Sequence, residues 1–135
     1  MASKNWIYFG VFLDERSKER LSSLVNPIID ENWKKFCHHM TIAFNNGSAK
    51  AQEAYNVYEP YFGEGVDLIA THIGISNDAI AVKVDFTGET QNRFPHVTLA
   101  TPINGKPVNS NYIKNWQPLE SPIKLFGTFR VFTKN

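Results

Sequence analysis

The sequence predicts an α+β fold built on a mostly antiparallel sheet. Three observations carry that expectation. Stretches of strand composition outnumber helical ones. Two of them flank a short turn, as a hairpin does. One five-residue pattern, His-apolar-Thr-apolar-Ala, occurs twice, at 39–43 and at 96–100, its histidines 57 positions apart. Two halves, each centred on one copy of the pattern, would account for the duplication.

The elements follow in order. Residues 5–13, "NWIYFGVFL", are aromatic and β-branched and read as a strand. Asp14 is placed to cap a helix with Leu21, Leu24, Val25 and Ile28 as its apolar stripe and Pro27 near its end. "HHMTIAFN" is a second strand closed by the turn signal "NNGS". Ser48 is placed to cap a second helix reaching about Tyr61, with Ala51, Ala54, Tyr55 and Tyr58 on one face and "FGEG" as its stop. "VDLIATHIGI" and "AIAVKVDF" form the hairpin around "SND"; Ile80, Val82, Val84 and Phe86 alternate with Lys83 and Asp85. A polar loop, 87–93, precedes the strand "PHVTLAT". A second loop, "PINGKPVNSN", leads into a helical turn expected around 112–116, and "SPIKLFGTFRVFTK" closes the chain as a strand.

The chain has 135 residues, 42% hydrophobic and 13% aromatic, which is a single-domain length with enough apolar matter for a core. We read 1–135 as one domain. Cys37 is the only cysteine, so no internal disulfide is possible and a reducing compartment is the simpler expectation. The apolar run at the start stops after nine residues, lacks a basic leader and is too short to span a bilayer, so a cytoplasmic location is expected. The net charge of +1 argues against a protein that grips a long nucleic acid through many phosphates. A small nucleotide fits that balance better.

In a strand, positions i and i+2 share a face about 7 Å apart. His39, Thr41 and Ala43 therefore share one face, and His96, Thr98 and Ala100 another. Two such strands brought together line a cleft with two imidazoles and two hydroxyls. A neutral histidine accepts a proton from a nucleophile, a protonated one donates to the leaving oxygen, and threonines stabilise the phosphoryl oxygens. No metal or other cofactor is needed. Tyr8 and Gly10 are candidate substrate-binding residues. Trp6, Tyr8, Gly10 and Phe12 alternate onto one face of the first strand, where an aromatic ring meets a base and a glycine admits a ligand.

Other readings compete. A lone His-x-Thr in a strand is usually incidental. Cys37, His39 and His96 are a conceivable metal set, but the spacing is not a familiar zinc pattern. Cys37 with a neighbouring histidine is a conceivable nucleophile. His38 faces away from the pair by alternation and reads as structural. His72 receives no role, and Arg130 and Lys124 read as solvated cations able to meet a phosphate.

"HMTIAF" and "HVTLAT" resemble the paired His-x-Thr motifs of the 2H phosphoesterase superfamily. That group includes RNA 2′,3′-cyclic phosphodiesterases, the phosphodiesterase module of tRNA ligases, and phage anti-CBASS enzymes that destroy cyclic oligonucleotide alarm signals. "LDERSKERL" after the first strand resembles the family's first helix. The resemblance implies a bilobal fold: two mostly antiparallel sheets with pseudo-twofold symmetry around a central cleft, helices outside. It implies that His39, Thr41, His96 and Thr98 form a metal-independent site. The expected substrate is a cyclic oligonucleotide or a 2′,3′-cyclic phosphate, with short RNA ends as an alternative. A non-catalytic nucleotide sensor on the same scaffold is the second class of function. No membrane or obligatory protein partner is expected.

Overall fold

The computed structural model describes residues 5–88, 90–91 and 94–134. Three positions of the polar loop, 89, 92 and 93, lie outside the described residues.

The first strand, β1 (Trp6–Leu13), runs into helix α1 (Glu15–Val25). Asp14 caps α1, its carboxylate accepting from the Ser17 N–H at 2.8 Å. Leu21 and Val25 are fully buried, whereas Ile28 lies past the helix end and is exposed. Two short strands follow, β2 (Trp33–Lys35) and β3 (His39–Phe44), then α2 (Ala49–Tyr58), capped by Ser48 through the Ala51 N–H at 3.1 Å and extended by a 3-10 turn at Glu59–Tyr61. The hairpin is β4 (Gly65–Ile75) and β5 (Ile80–Asp85), and the second motif strand is β6 (His96–Pro102). The expected helical turn at 112–116 is displaced. A 3-10 turn occupies Pro107–Tyr112, where proline presets φ for the first position, and Trp116 already begins the last strand, β7 (Trp116–Thr133).

The two sheets expected from the resemblance are one. Seven strands pair antiparallel in the order β2-β6-β5-β4-β7-β1-β3. The long strands β4 and β7 join the halves because they stay paired past the middle: Ala70 faces Ile123 and His72 faces Pro118, so four residues of β7 bulge out without ending the ladder. The bilobal description therefore holds only loosely.

The sheet is strongly curled, and connectivity alone proves it. Its edge strands, β2 and β3, are separated by three residues, so Lys35 and His39 lie at most about 14 Å apart. Seven strands laid flat would span about 29 Å. The chain crosses from one edge to the other at Cys37. The Cys37 N–H donates to the Thr98 carbonyl on β6 at 3.0 Å, and the next carbonyl, of His38, accepts from Leu13 on β1 at 2.9 Å. Cys37 makes this turn with φ of 58°, a left-handed conformation costing a non-glycine residue about 1–2 kcal/mol.

One face of the curled sheet packs on the helices. Phe9 and Val11 of β1, Val97 and Leu99 of β6, and Leu125 of β7 are buried with Leu21 and Val25 of α1 and Tyr55 of α2. The other, concave face carries the polar halves of both motifs. Trp6 departs from simple alternation. A register shift between Trp6 and Tyr8 turns its indole into the core, 5.1 Å from Tyr55 and 5.4 Å from Phe9. Trp6 therefore does not share a face with Tyr8. Among the described residues, no helix is long and apolar enough to cross a membrane.

Candidate active site

The concave face holds a cavity of about 200 Å³ lined by His39, Thr41, His96 and Thr98 together. Tyr8, Phe36 and Phe44 form its aromatic wall, and Pro107, Val108 and Asn111 of the second 3-10 turn close the other side. The placement follows from local geometry. Each motif strand alternates, so Met40, Ile42, Val97 and Leu99 go to the core while the His-x-Thr faces turn inward. The Cys37 turn then carries β3 from β6 towards β1, which sets the first motif beside the second.

His96 is 7% exposed. Its Nδ1 lies 3.0 Å from the Phe94 carbonyl, which fixes a proton on Nδ1 and leaves Nε2 for the cavity. Burial lowers its pKa, opposed by that hydrogen bond, which favours the charged ring. His39 is more strongly perturbed. Burial first, then the charges of His38 and His96, push it down to about 4. Its ring stacks on Phe12, at 5.4 Å and 21°, and meets the His38 ring edge to edge, centroids 4.6 Å apart and 18° between planes, with the two Nδ1 atoms facing each other. His39 Nε2 is thus the nitrogen left for a ligand.

His38 is a neighbour the sequence reasoning missed. Alternation places it opposite His39, but strand β3 begins only at His39, and after the left-handed turn at Cys37 the two rings stand side by side. Burial and the charge of Lys18 lower its pKa. Ser110 was missed as well. It is fully buried, and its Oγ lies 2.8 Å from Thr98 Oγ1, which also reaches the Pro107 carbonyl at 3.3 Å. A serine in a polar loop carries no signal of that contact.

Tyr8 lines the cavity, 5.2 Å from the His39 ring. Gly10 does not. A Cβ there would run into the Met40 carbonyl oxygen and lie 3.0 Å from Thr41 Cα. The glycine admits the neighbouring strand rather than a ligand, and so holds Thr41 where it is.

Cys37 is buried, and its Sγ lies 3.5 Å from the Leu99 carbonyl. Burial pushes the thiol up to about 11, far from a thiolate at neutral pH. It does not line the cavity. Among the described residues, no three His, Cys, Asp or Glu side chains gather to hold a metal ion. His72 stands on β4 beside Thr71, away from the cavity.

No family model matches the chain, and no curated protein matches it. Solved structures do. One is a fungal RNA kinase, with a TM-score of 0.69 at 15% identity over 99% of this chain. The chain spans only 47% of that protein. Another is TT0787 of Thermus thermophilus, with a TM-score of 0.51 at 14% identity over 93% of this chain and 94% of the other. At such identities the likeness is one of fold.

Proposed function

We propose that this protein is a metal-independent phosphodiesterase of the 2H type that cleaves small RNA-like nucleotides, either cyclic oligonucleotide signals or 2′,3′-cyclic phosphates. The observation that carries the reading is that both His-Thr pairs, from β3 and β6, line one cavity.

The roles follow from the two environments. His39, held near 4, stays neutral and takes the proton of the attacking oxygen at Nε2. His96, whose Nδ1 proton rests on the Phe94 carbonyl, is the ring better able to carry charge. The negative charge of a bound phosphodiester raises its proton affinity further. The attacking oxygen forms a new bond to phosphorus, the bond to the leaving ribose oxygen breaks, and His96 gives that oxygen a proton. With a 2′,3′-cyclic phosphate the nucleophile is water. With a 3′–5′ linkage it is the adjacent 2′-hydroxyl, and a cyclic phosphate forms. Thr41 and Thr98 hydrogen-bond the non-bridging oxygens as charge develops. Thr98 Oγ1 can accept from Ser110 at 2.8 Å, and its own proton, directed at the Pro107 carbonyl at 3.3 Å, turns to the phosphate when substrate binds.

The likeness to a fungal RNA kinase supports RNA chemistry as the setting and keeps RNA-end processing as a second reading. Kinase chemistry is not assigned, since the sequence has no glycine-rich loop ending in Lys-Ser or Lys-Thr. The test is incubation in EDTA with cyclic dinucleotides, cyclic trinucleotides and 2′,3′-cyclic mononucleotides. Product is expected with at least one, and is expected to vanish in His39→Ala and in His96→Ala. Binding without product for every member would make the protein a sensor, and activity abolished by EDTA would overturn the metal-independent mechanism.

A further inference from the structure

The concave face extends beyond the catalytic cavity, and its two halves differ. On the second-motif side, the row through Thr98 continues across Ala81 to Gly74. The chain covers that row itself. A Cβ at Gly74 would meet the rings and methyls of Trp116 and Ile113 at 2.6–2.7 Å, and Ala79, Ala81 and Ile113 are buried together against Trp116. No base has room there.

On the first-motif side, the matching row runs from Thr41 across Gly10 to Arg130 of β7. This half is open. Phe44 is 48% exposed, Phe132 is 50% exposed and Arg130 is exposed. Tyr8, which lines the cavity, links them. Its ring is 5.5 Å from Phe44 and stacks on Phe132 at 5.3 Å and 28°. Beyond it a second hollow is lined by Phe12, Lys18, His38, Thr128 and Arg130, among others. Lys18 pairs with Glu15 at 2.9 Å, and Asp14 is committed to capping α1. Arg130 is therefore the cation best placed to meet an anion, about 10 Å from Thr41 across two strand spacings.

We propose that this open half binds the nucleotide next to the scissile phosphate, its base on the Tyr8–Phe132 rings and its phosphate at the Arg130 guanidinium. The inference rests on the phosphodiesterase reading and narrows it: the substrate is an oligonucleotide of at least two nucleotides rather than a mononucleotide. Three facts converge on it. The cavity of about 200 Å³ is small for a complete ligand site and suits a phosphate with its ribose. Half-exposed aromatic rings beside a basic side chain are the elements of single-strand binding. Trp116 and Ile113 cover the row that runs from Thr98 to Gly74, whereas the row from Thr41 to Arg130 is left open.

The experiment compares three substrates: 2′,3′-cyclic adenosine monophosphate, a linear adenosine trinucleotide ending in a 2′,3′-cyclic phosphate, and a 3′–5′-linked cyclic adenosine trinucleotide. Arg130→Ala and Phe132→Ala, both at exposed positions, are set against the wild type, with Arg130→Gln as a milder variant. At least one trinucleotide is expected to have a lower KM than the mononucleotide. Each alanine variant is expected to raise KM about tenfold more for that trinucleotide than for the mononucleotide. The two trinucleotide arms tell a linear end from a cyclic ring. Equal effects on all three substrates, or none, overturn the subsite. If the wild type cleaves nothing, the phosphodiesterase reading fails separately. The subsite is then judged by fluorescence anisotropy of a 5′-labelled linear trinucleotide: a tenfold loss of affinity in Arg130→Ala supports it, and unchanged or absent binding overturns it.

Discussion

Acidification from pH 7 to pH 5 is expected to destabilise this protein chiefly through the buried histidines of the cavity. His39 is held near 4 in the folded chain, whereas an unfolded histidine titrates near 6.5. Between those values the unfolded state binds more protons, so stability rises with pH and is lost as pH falls. For His39 alone, the loss is about 0.2 kcal/mol at pH 7 and about 2 kcal/mol at pH 5, flattening below pH 4. His96 and His38 are lowered too and act in the same direction. Asp14 adds little in this window, because its bonds to Ser17 hold its carboxyl below the usual value. The assay is urea unfolding followed by tryptophan fluorescence at both pH values. The wild-type midpoint is expected to drop by about 1 M for that contribution. His39→Gln cannot titrate, so its midpoint should fall by clearly less. Equal losses in the two proteins would refute the assignment of the proton-sensitive site to His39.

Activity should follow the same charges. With a neutral base and a protonated acid both required, and both rings held below their ordinary values, kcat/KM is expected to peak below pH 6.5; a maximum above pH 8 would contradict the acid–base roles. Thr98→Val removes the hydroxyl that Ser110 supports and should lower kcat on the order of 100-fold with the fold intact by circular dichroism. Gly10→Ala forces a methyl against the Met40 carbonyl and is expected to cost about 1–3 kcal/mol in urea unfolding. Cys37 should resist a thiol reagent at pH 7.5 in the folded protein and react fully in urea, because it is buried and its thiol is pushed up to about 11.

What the sequence determined by itself is local. The caps at Asp14 and Ser48, the hairpin and the inward faces of both His-x-Thr strands follow from residue type and a two-residue period, which neighbours along the chain impose. The tertiary structure decided what depends on partners far away in sequence. The β4–β7 pairing turned two expected sheets into one, because each strand continues bonding past the midpoint. A register shift sent Trp6 to the core, and a left-handed Cys37 set His38 beside His39, since one displaced residue inverts every face after it. Gly10 was read as room for a ligand, and the space is taken by β3 instead. Arg130 and Phe132 stand beside Gly10 and Tyr8 only because the last strand pairs with the first, a contact no periodicity within either strand encodes.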